Sequence, residues 1–286
     1  MPATSPCALS PEQLRAYHQQ GFLLIPQAVR PATLALAQDV LERWVDRTAA
    51  EWQAAGWLTE LRPELPFDQR LIVLWHAAGK PRYSRSPRRE LVCPELFDLL
   101  CAPELLDVAE ALLGTPEVSL HGIFNARPKL PDQRWTDTPW HQDAQYFRDA
   151  ERVHVPTFWF PLQDVTPHNS CLQVQPGGHL GALHEGHDDP ETGFLGLAPE
   201  VRQQLQGLSI GMARGDLLCF TQLTPHGALP NQSDRIRWSF DFRYEDTDHP
   251  TQSGRDLGFV ARSRTRPLTH RDEWLARWDH RPAKSY

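Results

Sequence analysis

The stretch EVSLHGIFNARP, residues 117–128, alternates apolar and polar side chains as a half-buried strand does, and the character of the chain changes there. Downstream, HVPTFWFPLQDV (154–165), SCLQVQPGGH (170–179), GDLLCFTQLTPH (215–226) and IRWSFDFRYED (236–246) repeat the pattern, separated by Pro, Gly, Asn and Asp turns. Short strands in series, with no helix between most of them, predict an antiparallel barrel or jelly roll rather than a parallel sheet.

Upstream of residue 115 the signals are helical. In LSPEQLRAYHQQGFLLIP (9–26), Ser10 is a cap, Pro11 suits the first helical position and Gln13 completes a capping box. Gly21 ends that helix, and FLLIP reads as a buried strand. RPATLALAQDVLERWVDRTAAEWQAAGW (30–57) is a longer helix with Leu34, Ala37, Val40, Leu41 and Trp44 on one face. Residues 58–92, rich in Pro and Arg, read as a long irregular loop in which Trp75 and His76 are lid candidates. CPELFDLLCAPELLDVAEALLG (93–114) gives two short helices, the second closed by Gly114. A short helix is expected over about 267–279. The expected organisation is one domain over 1–286, mainly β with flanking helices. A helical part to about residue 115 buttresses a jelly-roll core over about 116–250.

Composition narrows the function. The 286 residues are 40% hydrophobic and 23% charged, a globular balance. The net charge is −7, and the only lysines are Lys80, Lys129 and Lys284, so nucleic acid is not an expected partner. Cys7, Cys93, Cys101, Cys171 and Cys219 are odd in number and form no CxxC pair, which speaks against a disulfide framework or a thiolate zinc site. No apolar run reaches the roughly 18 residues of a membrane span. No signal peptide is read at the N-terminus, and a cytoplasmic setting is expected.

TPWHQDAQYF (138–147) carries the chemistry. His141 and Asp143 are two apart, and in a strand such side chains share a face. An imidazole beside a carboxylate suits a first-row divalent metal, and a third ligand completes a facial triad with three positions open. His226, where GDLLCFTQLTPH finishes, is the best candidate for it. Eleven residues later stands Arg237; an arginine inside a barrel needs an anion, and its fork fits a carboxylate in bidentate fashion. Ser239 shares its face and is placed to donate to the same carboxylate.

Taken together, TPWHQDAQYF, TFWFPLQDVT, SCLQVQPGGH, GDLLCF and HGALPNQSDRIRWSFDFRY, with YHQQGFLLIPQAV near the start, resemble the phytanoyl-CoA dioxygenase family of non-haem iron, 2-oxoglutarate-dependent oxygenases. The resemblance implies a double-stranded β-helix, and Fe(II) held by His141, Asp143 and His226. It implies 2-oxoglutarate and O2 as co-substrates, with Arg237 on the distal carboxylate of the former. It also brings Gln142, Trp159, Thr138 and Asn125 toward the co-substrate. Gly178 stands where the family usually has serine, and Ala228 where some members have one. The implied activity is hydroxylation of a small-molecule metabolite with release of succinate and CO2. Desaturation, cyclisation or epimerisation at the same iron is the alternative within that chemistry. A non-catalytic, metal-binding cupin-like barrel is the alternative outside it. Because Asp143 is present, halogenation is disfavoured. Gln145, Tyr146, Phe147 and the loop residue His179 are candidates to face the substrate; packing in the core is the competing reading for Tyr146 and Phe147. His179, His184 and His187 read as a polar loop over the mouth of the site rather than as a second metal. Loops 58–92, 144–154 and 180–200 are expected to set specificity, and the sequence leaves the oligomeric state open.

Overall fold

The computed structural model describes residues 9–84, 87–147 and 153–279. Two helices and a strand open the chain: α1 (Pro11–Gln20), β1 (Phe22–Ile25) and α2 (Pro31–Ala54). Ser10 and Gln13 form the expected reciprocal capping box, and Gly21 closes α1 in the left-handed conformation. α4 (Pro94–Leu100) and α5 (Pro103–Leu113) match the two short helices expected there.

The region read as an irregular loop contains a helix, α3 (Phe67–Ala77), that packs Leu71, Leu74 and Trp75 into the core. Its apolar residues are spaced three and four apart, and Pro66 and Gly79 bracket it. The flanking Pro- and Arg-rich segments hid that signal. Trp75 is only 4% exposed and its indole N–H donates to the Pro81 carbonyl (2.8 Å), so it is a packing residue and not a lid. The C-terminal helix (Arg271–Asp279) starts four residues later than expected.

The remaining strands are β2 (Val118–Ala126), β3 (Thr157–Pro161), β4 (Leu172–Val174), β5 (His187–Asp188), β6 (Leu195–Gly196), β7 (Leu208–Ile210), β8 (Leu217–Phe220), β9 (His226–Ala228), β10 (Ser239–Asp246) and β11 (Phe259–Arg262). They form a six-stranded antiparallel sheet in the order β1-β8-β3-β10-β2-β11 and a three-stranded sheet in the order β7-β4-β9. β5 and β6 make a small ladder of their own. The two main sheets pack face to face with helices outside, a jelly roll; among the described residues they remain separate ladders rather than one closed ring.

Period-two alternation sorts the large sheet into two buried faces. Phe158 and Phe160 of β3, Leu217 and Cys219 of β8, and Phe240, Phe242 and Tyr244 of β10 join the helices in the main core. Trp159, Leu218 and Phe220 point the other way, onto Leu172, Val174 and Ile210 of the small sheet. On β10 the inward set is Ser239, Asp241, Arg243 and Glu245, all at most 5% exposed. Trp238, just before β10, stacks on Phe67 of α3 (4.8 Å) and meets Trp44 of α2 edge-on, which fixes its neighbours Arg237 and Ser239 on the opposite, inner face.

Glu245 sits at the far end of this inner row. Its Oε2 accepts from the Thr251 N–H (3.0 Å), its Oε1 has no partner, and burial pushes its pKa up to about 7. The folded state therefore holds a proton that the unfolded chain releases near 4.5. Stability is expected to fall as pH rises from about 4.5 through 7 and to level off above it. Glu245→Gln should flatten that dependence and raise stability at pH 8 by about 2 kcal/mol, read by urea unfolding at pH 5 and pH 8.

Candidate metal centre

His141 and His226 are joined by an antiparallel backbone bridge in which each N–H donates to the other's carbonyl, both at 2.9 Å. The bridge brings the two rings to 4.2 Å, with Phe220 packed on His226 at 4.3 Å. His226 does not finish a strand, as its sequence suggested. β8 stops at Phe220, a turn runs through Thr221–Pro225, and His226 opens β9 in the other sheet. The HxD triplet is likewise not a strand: Gln142 is extended, and a short 3-10 turn begins at Asp143. Convergence survives because the turn folds Asp143 back toward the histidines.

The imidazoles are prepared as ligands. Nδ1 of His141 lies 2.9 Å from the Pro139 carbonyl, and Nδ1 of His226 lies 2.9 Å from the Thr224 carbonyl. A carbonyl only accepts, so each Nδ1 carries the proton and each Nε2 keeps its lone pair, the usual second contact of a metal-binding histidine. Both Nε2 atoms face Asp143 Oδ1, at 3.6 and 4.0 Å. The three ligand atoms lie within 4.8 Å of one another, and all three residues are buried. Burial, then the neighbouring His141, pushes His226 down to about 3, so it is neutral at physiological pH. Two imidazoles whose Nε2 atoms face a shared carboxylate fit a first-row divalent ion such as Fe(II).

Asp143 is held from the other side. Its Oδ2 accepts from Thr157 Oγ1 (2.5 Å) and from Nε and Nη2 of Arg243 (3.1 and 2.8 Å); Nη2 also reaches Oδ1 (2.8 Å). Burial alone would raise the Asp143 pKa, but the Arg243 guanidinium outweighs it and holds the carboxylate well below its ordinary range. Nη1 of Arg243 donates to Asp241 Oδ2 (2.6 Å), which also accepts from Asn125 (2.7 Å). Asp241 and Thr157 do not stand out in the sequence, and Arg243 reads there only as an alternative to Arg237 for the co-substrate, not as the partner of Asp143. The signal was present: continuing the alternation inward from Arg237 reads Ser239, Asp241, Arg243.

The histidines border an open cavity between the sheets that also meets Thr138, Trp159, Arg237 and Arg243. Arg237 is 2% exposed, and every side-chain partner recorded for it is neutral: the Ser170 carbonyl (3.1 Å), Ser170 Oγ (3.5 Å), Ser239 Oγ and the face of Trp159 (5.5 Å). Burial, then nearby Arg127, pushes its pKa down to about 10. A buried guanidinium with neutral partners fits a carboxylate ligand, as 2-oxoglutarate supplies.

Other expected residues lie elsewhere. Gln142 is turned away from the cavity; its amide donates to the carbonyls of Leu223 (2.8 Å) and Ala182 (3.3 Å), and its oxygen accepts from the His184 N–H (2.8 Å). It ties the ligand segment to the mouth loop. Gln145 bonds the His184 carbonyl, and the Tyr146 hydroxyl bonds both backbone groups of Leu195. Phe147 packs on His121 at 4.6 Å. His179 reaches the His18 carbonyl (3.0 Å) at the end of α1, far from the substrate-facing role expected of it. A Cβ at Gly178 would lie 2.7 Å from the Pro225 ring, so serine there requires that proline to shift. Residues 148–152 of the expected specificity loop lie outside the described residues.

Two solved structures share the fold. One is EctD from S. alaskensis with 2-oxoglutarate and 5-hydroxyectoine, with 19% identity, 92% of this chain and 84% of that chain covered, and a TM-score of 0.62. Another is the non-heme alpha-ketoglutarate-dependent carbocyclase SnoK of nogalamycin biosynthesis, with 19% identity, 85% and 87% covered, and a TM-score of 0.59. The profile of the phytanoyl-CoA dioxygenase (PhyH) family matches residues 17–239. The peroxisomal phytanoyl-CoA dioxygenase of Homo sapiens is 27% identical over 254 residues, covering 84% of this chain and 69% of the relative. The chain belongs to the phytanoyl-CoA dioxygenase family, and is an Fe(II)- and 2-oxoglutarate-dependent oxygenase.

Removing Arg243 leaves two buried carboxylates without their shared cation. Arg243→Gln is expected to destabilise the metal-free protein by about 3–5 kcal/mol in denaturant unfolding. Because a divalent ion partly replaces the lost charge at Asp143, Mn(II) should raise the melting temperature of the variant more than that of the parent.

Proposed function

We propose that the protein hydroxylates a small-molecule metabolite, with Fe(II) held by His141 Nε2, His226 Nε2 and Asp143 Oδ1. Arg237, with Ser239 beside it, holds the distal carboxylate of 2-oxoglutarate. The observation that carries this reading is the convergence of two imidazole Nε2 atoms and one carboxylate oxygen on the cavity that contains a guanidinium without a carboxylate partner. When bound, the ferrous ion and 2-oxoglutarate activate O2, coupling decarboxylation of the co-substrate to succinate and CO2 with oxidation of the substrate.

The protein's own side chains set up that chemistry. Thr157 and Arg243 hold Asp143 Oδ2, and Oδ1, which also accepts from Arg243 Nη2, is the oxygen that faces both Nε2 atoms and is assigned to the metal. Trp159 lies under the Arg237 guanidinium and, with Leu172 and Phe220, gives the cavity apolar walls that exclude water. Thr138 lines the cavity, whereas Asn125 acts through Asp241. The whole chain is taken as one oxygenase domain, since one apolar cluster joins the helical part to the sheet. The four described cysteines are free, which supports a cytoplasmic setting, and no helix among the described residues is long and apolar enough to cross a membrane. Nucleic acid is outside this reading because of the −7 net charge. Ring closure at the same iron is the second outcome, since SnoK, which shares the fold, is a carbocyclase; product masses separate it from hydroxylation.

The assay is succinate release across a metabolite panel, with and without Fe(II). His141→Ala and His226→Ala should each lose at least about 100-fold in metal affinity; unchanged affinity in both contradicts the ligand set. Arg237→Ala leaves a desolvated carboxylate unpaired, about 2–5 kcal/mol or roughly 30- to 5,000-fold in 2-oxoglutarate affinity. Calorimetry on the Mn(II)-loaded protein measures it. Lysine should rescue in part, since it offers a point charge rather than a fork.

A further inference from the structure

Arg127 follows β2 directly and borders the same cavity as His141, His226 and Arg237. Its side chain is 19% exposed, and Nε donates to Asp241 Oδ1 at 2.8 Å. Its guanidinium lies over the ring of Phe194 at 5.2 Å, beside the mouth loop. Its Nη1 is shielded from solvent and has no hydrogen-bond partner. That makes Arg127 unlike its two neighbours. Arg243 is fully engaged by Asp143 and Asp241, and Arg237 is assigned to the co-substrate.

The local charge is unbalanced as well. Three guanidiniums meet this space, and two carboxylates, Asp143 and Asp241, answer them. Asp241 is shared between Arg127 and Arg243. A divalent metal ion and the dianion of 2-oxoglutarate cancel each other, so one positive charge remains. A shielded, charged donor left unpaired is costly, whereas a guanidinium paired with an oxyanion gains short charge-assisted bonds.

Resting on the oxygenase reading above, we propose that Arg127 recognises the substrate through an anionic oxygen group, a carboxylate or a phosphonate, and that the enzyme's substrate is an organic anion. Phe194 holds the guanidinium flat, and Asp241 fixes its Nε edge, which leaves the Nη1–Nη2 end of the fork for a ligand. Specificity then arises because a neutral isostere leaves Nη1 unpaired. Arg127 is a substrate-positioning residue that takes no part in holding metal or co-substrate.

The test is calorimetry on protein loaded with redox-inert Mn(II) and saturated with 2-oxoglutarate. The probes are propionate, methylphosphonate, inorganic phosphate and the neutral propionamide. The parent should bind at least one organic anion with a dissociation constant on the order of millimolar, and propionamide at least about tenfold more weakly. The preference between propionate and methylphosphonate distinguishes the two oxyanion classes. Arg127→Gln should lose about tenfold or more in anion affinity and Arg127→Lys less, since lysine keeps the charge without the fork. Both variants should bind 2-oxoglutarate within about threefold of the parent. Equal binding of propionamide and anions, or undiminished anion binding by Arg127→Gln, overturns the proposal. So does a loss of 2-oxoglutarate affinity as large as the loss of anion affinity, which would place Arg127 in the co-substrate clamp. Failure of the parent itself to bind 2-oxoglutarate would contradict the oxygenase reading, and this proposal with it.

Discussion

The site depends on one backbone contact, the reciprocal pair of hydrogen bonds between His141 and His226. It joins a segment that is otherwise irregular to the first residue of β9, and so locks the segment after Thr138 onto the small sheet. From that pairing the imidazole orientations follow. Each Nδ1 finds a carbonyl two residues earlier in its own chain, and both Nε2 atoms are left facing inward. The large sheet supplies the counterpart. Thr157 of β3 and Arg243 of β10 grip the Asp143 carboxylate from their own side, so the three candidate ligands are anchored on both sheets.

A second constraint is that β10 is buried on both faces. Its outward face is aromatic and packs under the helices, and its inward face is almost wholly polar. Buried charges on such a face survive only if each meets an opposite charge or a ligand. Asp143, Arg243, Asp241 and Arg127 form an alternating series that satisfies this, running from the histidines to the cavity rim. Arg237 stands outside the series, with serine and tryptophan around it. The same rule that explains the paired arginines therefore marks the one assigned to a dianionic co-substrate.

Much of the fold was legible because period two is a strong signal where strands are sandwiched. β2, β3, β8 and β10 fall inside the stretches that alternate in the sequence. The sequence was less informative where connections decide geometry. Pro225 and the turn before it move His226 from the end of one strand to the start of another, and nothing local says which sheet receives it. The α3 helix was obscured by its Pro- and Arg-rich flanks. Gln142 sits between two candidate ligands, yet its side chain serves the mouth loop, because the extended backbone there sends alternate residues to opposite sides. The role of Arg243 escaped notice since its partner, Asp143, is 100 residues away. Pairing of that kind is invisible without the sheet order.

The central claim is that one ferrous ion and one 2-oxoglutarate share the cavity between the two sheets. Anaerobic titration of Fe(II) into the protein with 2-oxoglutarate, followed by visible absorption, tests it most directly. The account predicts a charge-transfer band that requires both components, saturates at one iron per chain and disappears in Asp143→Ala. A protein that binds both components without the band, or that keeps the full band in Asp143→Ala, would contradict it.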